Sequence, residues 1–216
     1  MKKILLSPWT KRVLFALCLI PGLMLIWRGF SGDLGANPVE FIEHRTGDWA
    51  LRFLLITLTV TPLRKIFEQP LLMRFRRMLG LFAFFYVCVH LSMYLTFDQM
   101  FSISGIYADV LKRPYITVGT AGFLMLVPLA VTSTAAMVRR LGAQRWQWLH
   151  RLIYFCALAG VIHYYWLVKS DVREPLMYGG ILTLLMLFRV RMWLTKGAKN
   201  KPQPTAVGGC EAAQHR

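Results

Sequence analysis

Two histidines, His90 and His163, stand in long apolar runs, where an imidazole is costly to bury unless something binds it. His90 lies within residues 78–97 (MLGLFAFFYVCVHLSMYLTF) and His163 within residues 149–168 (LHRLIYFCALAGVIHYYWLV). His90 precedes Phe97 by seven residues and His163 precedes Val168 by five, so at ~1.5 Å per helical residue their depths differ by only about 3 Å. A single histidine on an apolar helix is as often a hydrogen-bonded packing residue. Two at one depth on different helices suit the axial positions of a haem iron gripped from both faces.

The remaining histidines read differently. His150 is 13 residues before His163, hence about 20 Å away and rotated by about 140° on the same helix, so one iron cannot use both. Beside Trp146, Trp148 and Arg151 it is either an interfacial residue in an aromatic belt, or a ligand of a second haem or a contact for quinone or flavin. His44 falls in a loop, in Glu43-His44-Arg45-Thr46-Gly47, and His215 in a tail, where a metal role is not indicated. Arg76, Arg77 and Arg151 at one end, and Lys112, Arg113 and Lys169 at the other, could pair with haem propionates.

Membrane-spanning helices are needed to position such ligands. The chain has 216 residues, 56% of them hydrophobic, with a formal net charge of +16. A soluble nucleic-acid binder would not carry repeated uninterrupted apolar stretches, so nucleic acid is excluded as a partner. Six segments approach the ~20 residues that cross a hydrocarbon core: residues 13–30, 49–63, 78–97, 115–138, 149–168 and 175–194. Pro21-Gly22 predicts a kink in the first, and Pro175 suits the first turn of the last. The second is short and carries Arg52, whose aliphatic stem lets it snorkel outward. The expected fold is all-α: a transmembrane bundle of six helices over residues 1–194, with a flexible basic cytoplasmic tail over 195–216.

Charge sets the expected orientation, because cytoplasmic loops collect Lys and Arg. With both termini inside, most of the 26 basic residues fall on the cytoplasmic side, among them Lys2, Lys3, Lys11, Arg12, Arg64, Lys65, Arg139, Arg140 and Arg145. Of the ten acids only Glu68 and Glu211 join them. The N-terminal segment has the basic start of a signal peptide, but no small-residue cleavage site follows and the apolar run continues through Trp27, so a retained helix is expected.

Cysteines offer no outer disulfide: Cys18, Cys88 and Cys156 lie within helices and Cys210 in the tail. No C-x-x-C-H occurs, which excludes the usual covalent haem attachment and makes any haem noncovalent. No glycine-rich dinucleotide loop is visible, so NAD(P)H oxidation would belong to another chain. A non-redox transporter could use the same histidines for protons or ions and would purify colourless.

Four stretches carry a family resemblance: LGANPVEFIEHRTG, QPLLMRFRRMLGL followed by the His90 helix, RPYITVGT, and RWQWLHRLIYFCALAGVIHYYW. Together they resemble the haem-binding membrane subunits of bacterial periplasmic methionine sulfoxide reductase systems, the MsrQ family. That family is similar to the transmembrane domain of ferric reductases and NADPH oxidases. The resemblance implies a multi-pass inner-membrane protein with b-type haem and associated FMN, and places the family's haem-associated histidines on His90, His150 and His163. It also implies electron flow from the quinone pool, with a cytosolic flavin reductase as a further candidate donor, to the periplasmic molybdopterin enzyme MsrP. Sulfoxide reduction would then be the partner's chemistry. A ferric-reductase-type cytochrome serving another acceptor would share the haem and differ in the partner. The wider superfamily pairs histidines on both haem helices, whereas the third segment here has only His90, and near its inner end offers Arg76, Arg77 and Met78. A second haem with two histidine ligands therefore lacks an obvious partner for His150.

Overall fold

The computed structural model describes residues 7–168 and 170–199, and among these it is helical throughout its ordered elements, with no strand. The helices are α1 (Pro8–Phe30), α2 (Pro38–Ile66), α3 (Met73–Met93), α4 (Ile103–Lys112), α5 (Pro114–Val131), α6 (Ala135–Leu141), α7 (Ala143–Leu149), α8 (Leu152–Leu167) and α9 (Arg173–Lys199). A 3₁₀ turn, Pro70–Leu72, leads into α3, and a π-helical turn, Tyr94–Asp98, leads out of it. Residues 200–216, including Cys210 and His215, lie outside the described residues, as do Lys2, Lys3 and Lys169.

Four helical stretches are long and apolar enough to cross a membrane: Pro8–Phe30, Pro70–Asp98, Pro114–Val131 and Arg173–Thr195. The other two expected spans differ for separate reasons. α2 has 29 residues but carries Arg45, Asp48 and Arg52. α8 is strongly apolar but only 16 residues long.

Local chemistry explains where the helices depart from hydropathy. α2 begins at Pro38, well before Trp49, because Asn37 caps it: its carbonyl oxygen accepts from the Glu40 amide at 3.4 Å and its amide nitrogen donates to the Glu40 carboxylate at 2.9 Å. His44 therefore sits on a helix and not in a loop. The apolar run 115–138 is broken at Thr132-Ser133-Thr134. Thr132 and Ser133 donate back to the carbonyls of Pro128 and Leu129, and Thr134 caps α6 by accepting from the Met137 amide.

The tightest packing joins α2 to α3 and α5 to α8, and α9 lies against α8 and α2. Small residues allow the close approach: Ala83 and Ala157 are fully buried, and a Cβ added at Gly122 would come within 3.3 Å of the Ala159 methyl. Phe53 stacks on both Phe82 and Tyr86 across the α2–α3 seam. Arg52 does not snorkel outward; its Nε donates to the Tyr178 hydroxyl at 2.7 Å, with the guanidinium over the Trp49 ring. Arg189, in turn, donates to the Tyr154 hydroxyl and to the Leu58 carbonyl, both at 2.7 Å, tying α9 to α8 and α2.

α1 is the loosely held element. Its outward side leaves Leu23, Trp27 and Phe30 more than half exposed, as befits a lipid-facing surface. One contact fixes it to α3 next to Pro21. The fully buried Tyr86 hydroxyl accepts from the Gly22 amide at 2.9 Å and donates to the Cys18 carbonyl at 3.0 Å. The hydroxyl thus stands where the helix's own i to i−4 bond would run, one of the recognised causes of a local helix bend.

Candidate functional site

α3 and α8 bring His90 and His163 together, with ring centres 6.1 Å apart and ring planes at 80°. Each ring is held from behind in the same way. His90 Nδ1 donates to the Glu43 carbonyl on α2 at 2.9 Å, and His163 Nδ1 donates to the Tyr115 carbonyl on α5 at 2.6 Å. A carbonyl oxygen can only accept, so Nδ1 must carry the proton and Nε2 keeps its lone pair. That tautomer, fixed by a backbone acceptor, is the usual preparation of a metal-binding imidazole.

Each carbonyl lies four residues, about one helical turn, before a glycine. A Cβ at Gly47 would stand 3.3 Å from His90 Nδ1, and one at Gly119 would stand 2.7 Å from His163 Nδ1. The bare glycine lets the imidazole lie flat against the neighbouring helix and reach the carbonyl. Thr46, itself buried, reinforces the first cradle by donating to the carbonyls of Ile42 and Glu43. Tyr115 adds a ring 6.0 Å from that of His163. Sequence reasoning missed both cradles. Their trace was present as the isolated helical glycines of EHRTG and YITVG, of the kind that mark a close approach.

The spacing suits a metal bridged by the two rings. Two imidazoles bound through Nε2 on opposite sides of one ion at about 2 Å each have ring centres roughly 6 Å apart. Among the described residues no group of three or more His, Cys, Asp or Glu converges. An ion held here would take its other ligands from a non-protein group, and a porphyrin supplies four nitrogens in one plane.

His150 is not part of this pair. It sits between α7 and α8, at the far end of α8 from His163. Its ring stacks on Trp146, centres 3.9 Å apart, and its Nε2 is 3.1 Å from the Thr132 hydroxyl, while Trp146 Nε1 donates to the Thr132 carbonyl at 2.8 Å. It lines a cavity of about 520 Å³ that also presents Arg76, Arg77 and Arg139 against apolar walls including Phe84 and Leu126. Among the described residues no other histidine and no cysteine lines it, and Met78 faces a different groove. Arg113, expected from the sequence to face the side opposite the termini, pairs with Asp109 at 3.3 Å.

A helical bundle with one histidine on each of two helices defines the class. Residues 46–161 match the family model described as "Ferric reductase like transmembrane component", a match that includes His90 and His150 and ends two residues before His163. Relatives named "Protein-methionine-sulfoxide reductase heme-binding subunit MsrQ" are similar over most of the chain. The one from Herminiimonas arsenicoxydans is 49% identical over 88% of this chain and 88% of its own. That from Xanthomonas euvesicatoria pv. vesicatoria is 58% identical over 76% and 75%, and that from Rhodospirillum rubrum 53% identical over 82% and 85%. The chain belongs to the MsrQ family, within the ferric reductase-like transmembrane class.

Proposed function

We propose that this chain is the haem-binding membrane subunit of a protein methionine sulfoxide reductase system, carrying electrons across the inner membrane to a periplasmic molybdopterin partner of the MsrP type. The observation that carries this reading is the pair of imidazoles 6.1 Å apart, each with Nδ1 committed to a backbone carbonyl. His90 and His163 would hold a b-type haem noncovalently. When bound, iron with two imidazole ligands supplies one-electron transfer and leaves no open position for substrate. The protein's part is to fix the two rings, exclude water from them with apolar helix walls, and set their tautomer through Glu43 and Tyr115.

Electrons would come in at the other end. The cavity beside His150 combines an aromatic floor with Arg76, Arg77 and Arg139, which suits a flat, electron-carrying group with negative charge such as FMN, or a quinol head. His150 would act there as a contact for the electron donor or as a ligand of a second haem. In this reading α2 and α8 also span, giving six transmembrane helices with both termini cytoplasmic. The charges of α2 are accommodated by partners inside the bundle, as Arg52 is by Tyr178. Residues 195–216 would be a basic cytoplasmic tail, its start, as far as Lys199, continuing α9.

Reconstitution tests the assignment. Purified protein should show a dithionite-reduced b-type haem spectrum and, in liposomes with a quinol donor, should support reduction of methionine sulfoxide by an added MsrP-type enzyme. A reduced haem that is reoxidised by ferric chelates and not by the sulfoxide reductase would assign a different acceptor. Colourless protein would remove the redox reading.

A further inference from the structure

A second groove, of about 570 Å³, lies between α1 and α3 on the side of α1 away from its C-terminal end. Lys11, Phe15 and Leu19 line it from α1 at helical spacing, and Arg74, Arg77, Leu81, Phe82 and Phe85 from α3. Its polarity is graded. The three cations come from the first two turns of the two helices, no carboxylate among the described residues lines it, and the rest of the wall is apolar and aromatic. Phe15 and Phe85 are about half exposed, so the described residues do not fill the wall. Tyr86, the residue after the lining Phe85, bridges α1 to α3 through its hydroxyl at Cys18 and Gly22.

The geometry points to a binding site for one acidic glycerophospholipid of the adjoining leaflet, its phosphate held by Lys11, Arg74 and Arg77 and an acyl chain laid along Phe15, Leu81 and Phe85. Charge complementarity selects the headgroup, since basic pockets between spanning helices favour anionic lipid heads. The apolar length behind the cations selects a lipid over a free anion. The groove contains neither His90 nor His163 and shares only Arg77 and Leu81 with the His150 cavity, so Lys11 and Arg74, which line the groove and not that cavity, test the lipid site separately from the His90–His163 pair.

Native mass spectrometry of the full chain in detergent, titrated with phosphatidylglycerol, phosphatidylcholine or inorganic phosphate, tests this. One phosphatidylglycerol should be retained several-fold more tightly than phosphatidylcholine, and inorganic phosphate should not displace it. The double variant Lys11→Gln/Arg74→Gln should weaken phosphatidylglycerol on the order of tenfold, since each basic residue contributes several-fold, and leave phosphatidylcholine unchanged. Leu19→Trp, which keeps the cations and fills the groove from α1, should weaken both lipids, and it tests the site even if the double variant does not elute as a single species. Equal affinity for the two lipids, or no response to the available variants, would overturn the site. Displacement by inorganic phosphate would do the same, in favour of a simple anion pocket.

Discussion

Gly119 decides whether the His163 ring can reach its carbonyl. A methyl group at this position would stand 2.7 Å from Nδ1, so Gly119→Ala must push the ring away and break its bond to Tyr115. Loss of such an outer partner typically costs 10- to 100-fold in metal affinity. Gly119→Ala should therefore lower the haem-to-protein ratio by roughly that factor in affinity, measured by haem titration of the apoprotein. Gly47→Ala, with 3.3 Å of clearance, should do less, and Gly180→Ala, with nothing within 4 Å, should do nothing. The two imidazoles were legible because a polar ring in an apolar run is conspicuous. Their supports were not, because the acceptors are backbone carbonyls of Glu43 and Tyr115, which any residue could present. Only the adjacency of α2 to α3 and of α5 to α8 gives Gly47 and Gly119 their meaning.

Among the elements, hydropathy located the apolar cores of the helices well and their ends poorly. Asn37 and Glu40 extend α2 outward past His44, and three consecutive hydroxyl residues end α5 where the apolar run continues to Val138. Capping bonds decide these limits, and they are local signals that an average over many residues hides. Arg189 shows the same limit. By composition it reads as one more cytoplasmic anchor, yet it reaches into the bundle and joins α9 to Tyr154 and Leu58. Arg189→Met would leave a half-buried hydroxyl and a carbonyl without their charged donor, at a cost of about 2 to 3 kcal/mol. A corresponding fall in the urea or heat midpoint in detergent would be the measure, and Arg189→Lys should recover only part of it because a compact ammonium lacks the planar fork whose two separate nitrogens reach the two acceptors.

At the scale of the whole molecule, two helix pairs each contribute one imidazole to a shared gap, while the His150 cavity lies at the other end of the same bundle. That the two lie at opposite ends was readable from the 13 residues between His150 and His163, although His150 stands in the turn before α8 and not on the same helix as expected. What surrounds His150 was not. Thr132, Trp146 and Arg139 come from the broken segment and the two short helices that follow it, which the sequence reading joined or left as loop. The division of labour has a direct consequence. Under the proposed function, His150→Ala should leave the absorbance of haem held by His90 and His163 unchanged and reducible by dithionite, while slowing reduction by a quinol donor at least tenfold, a loss typical of removing a positioned electrostatic or hydrogen-bonding group. Stopped-flow reduction with the two donors separates these effects.

The proposed function requires His90 and His163 to be ligands of one iron and not of two separate sites. Low-temperature electron paramagnetic resonance of the oxidised protein, read alongside haem quantitation, addresses it for the wild type and for His90→Ala and His163→Ala. The wild type should give a low-spin signal of two-imidazole coordination, and either variant alone should lose that same signal and its haem. Retention of the signal in either variant, or loss of a different component in each, would contradict it.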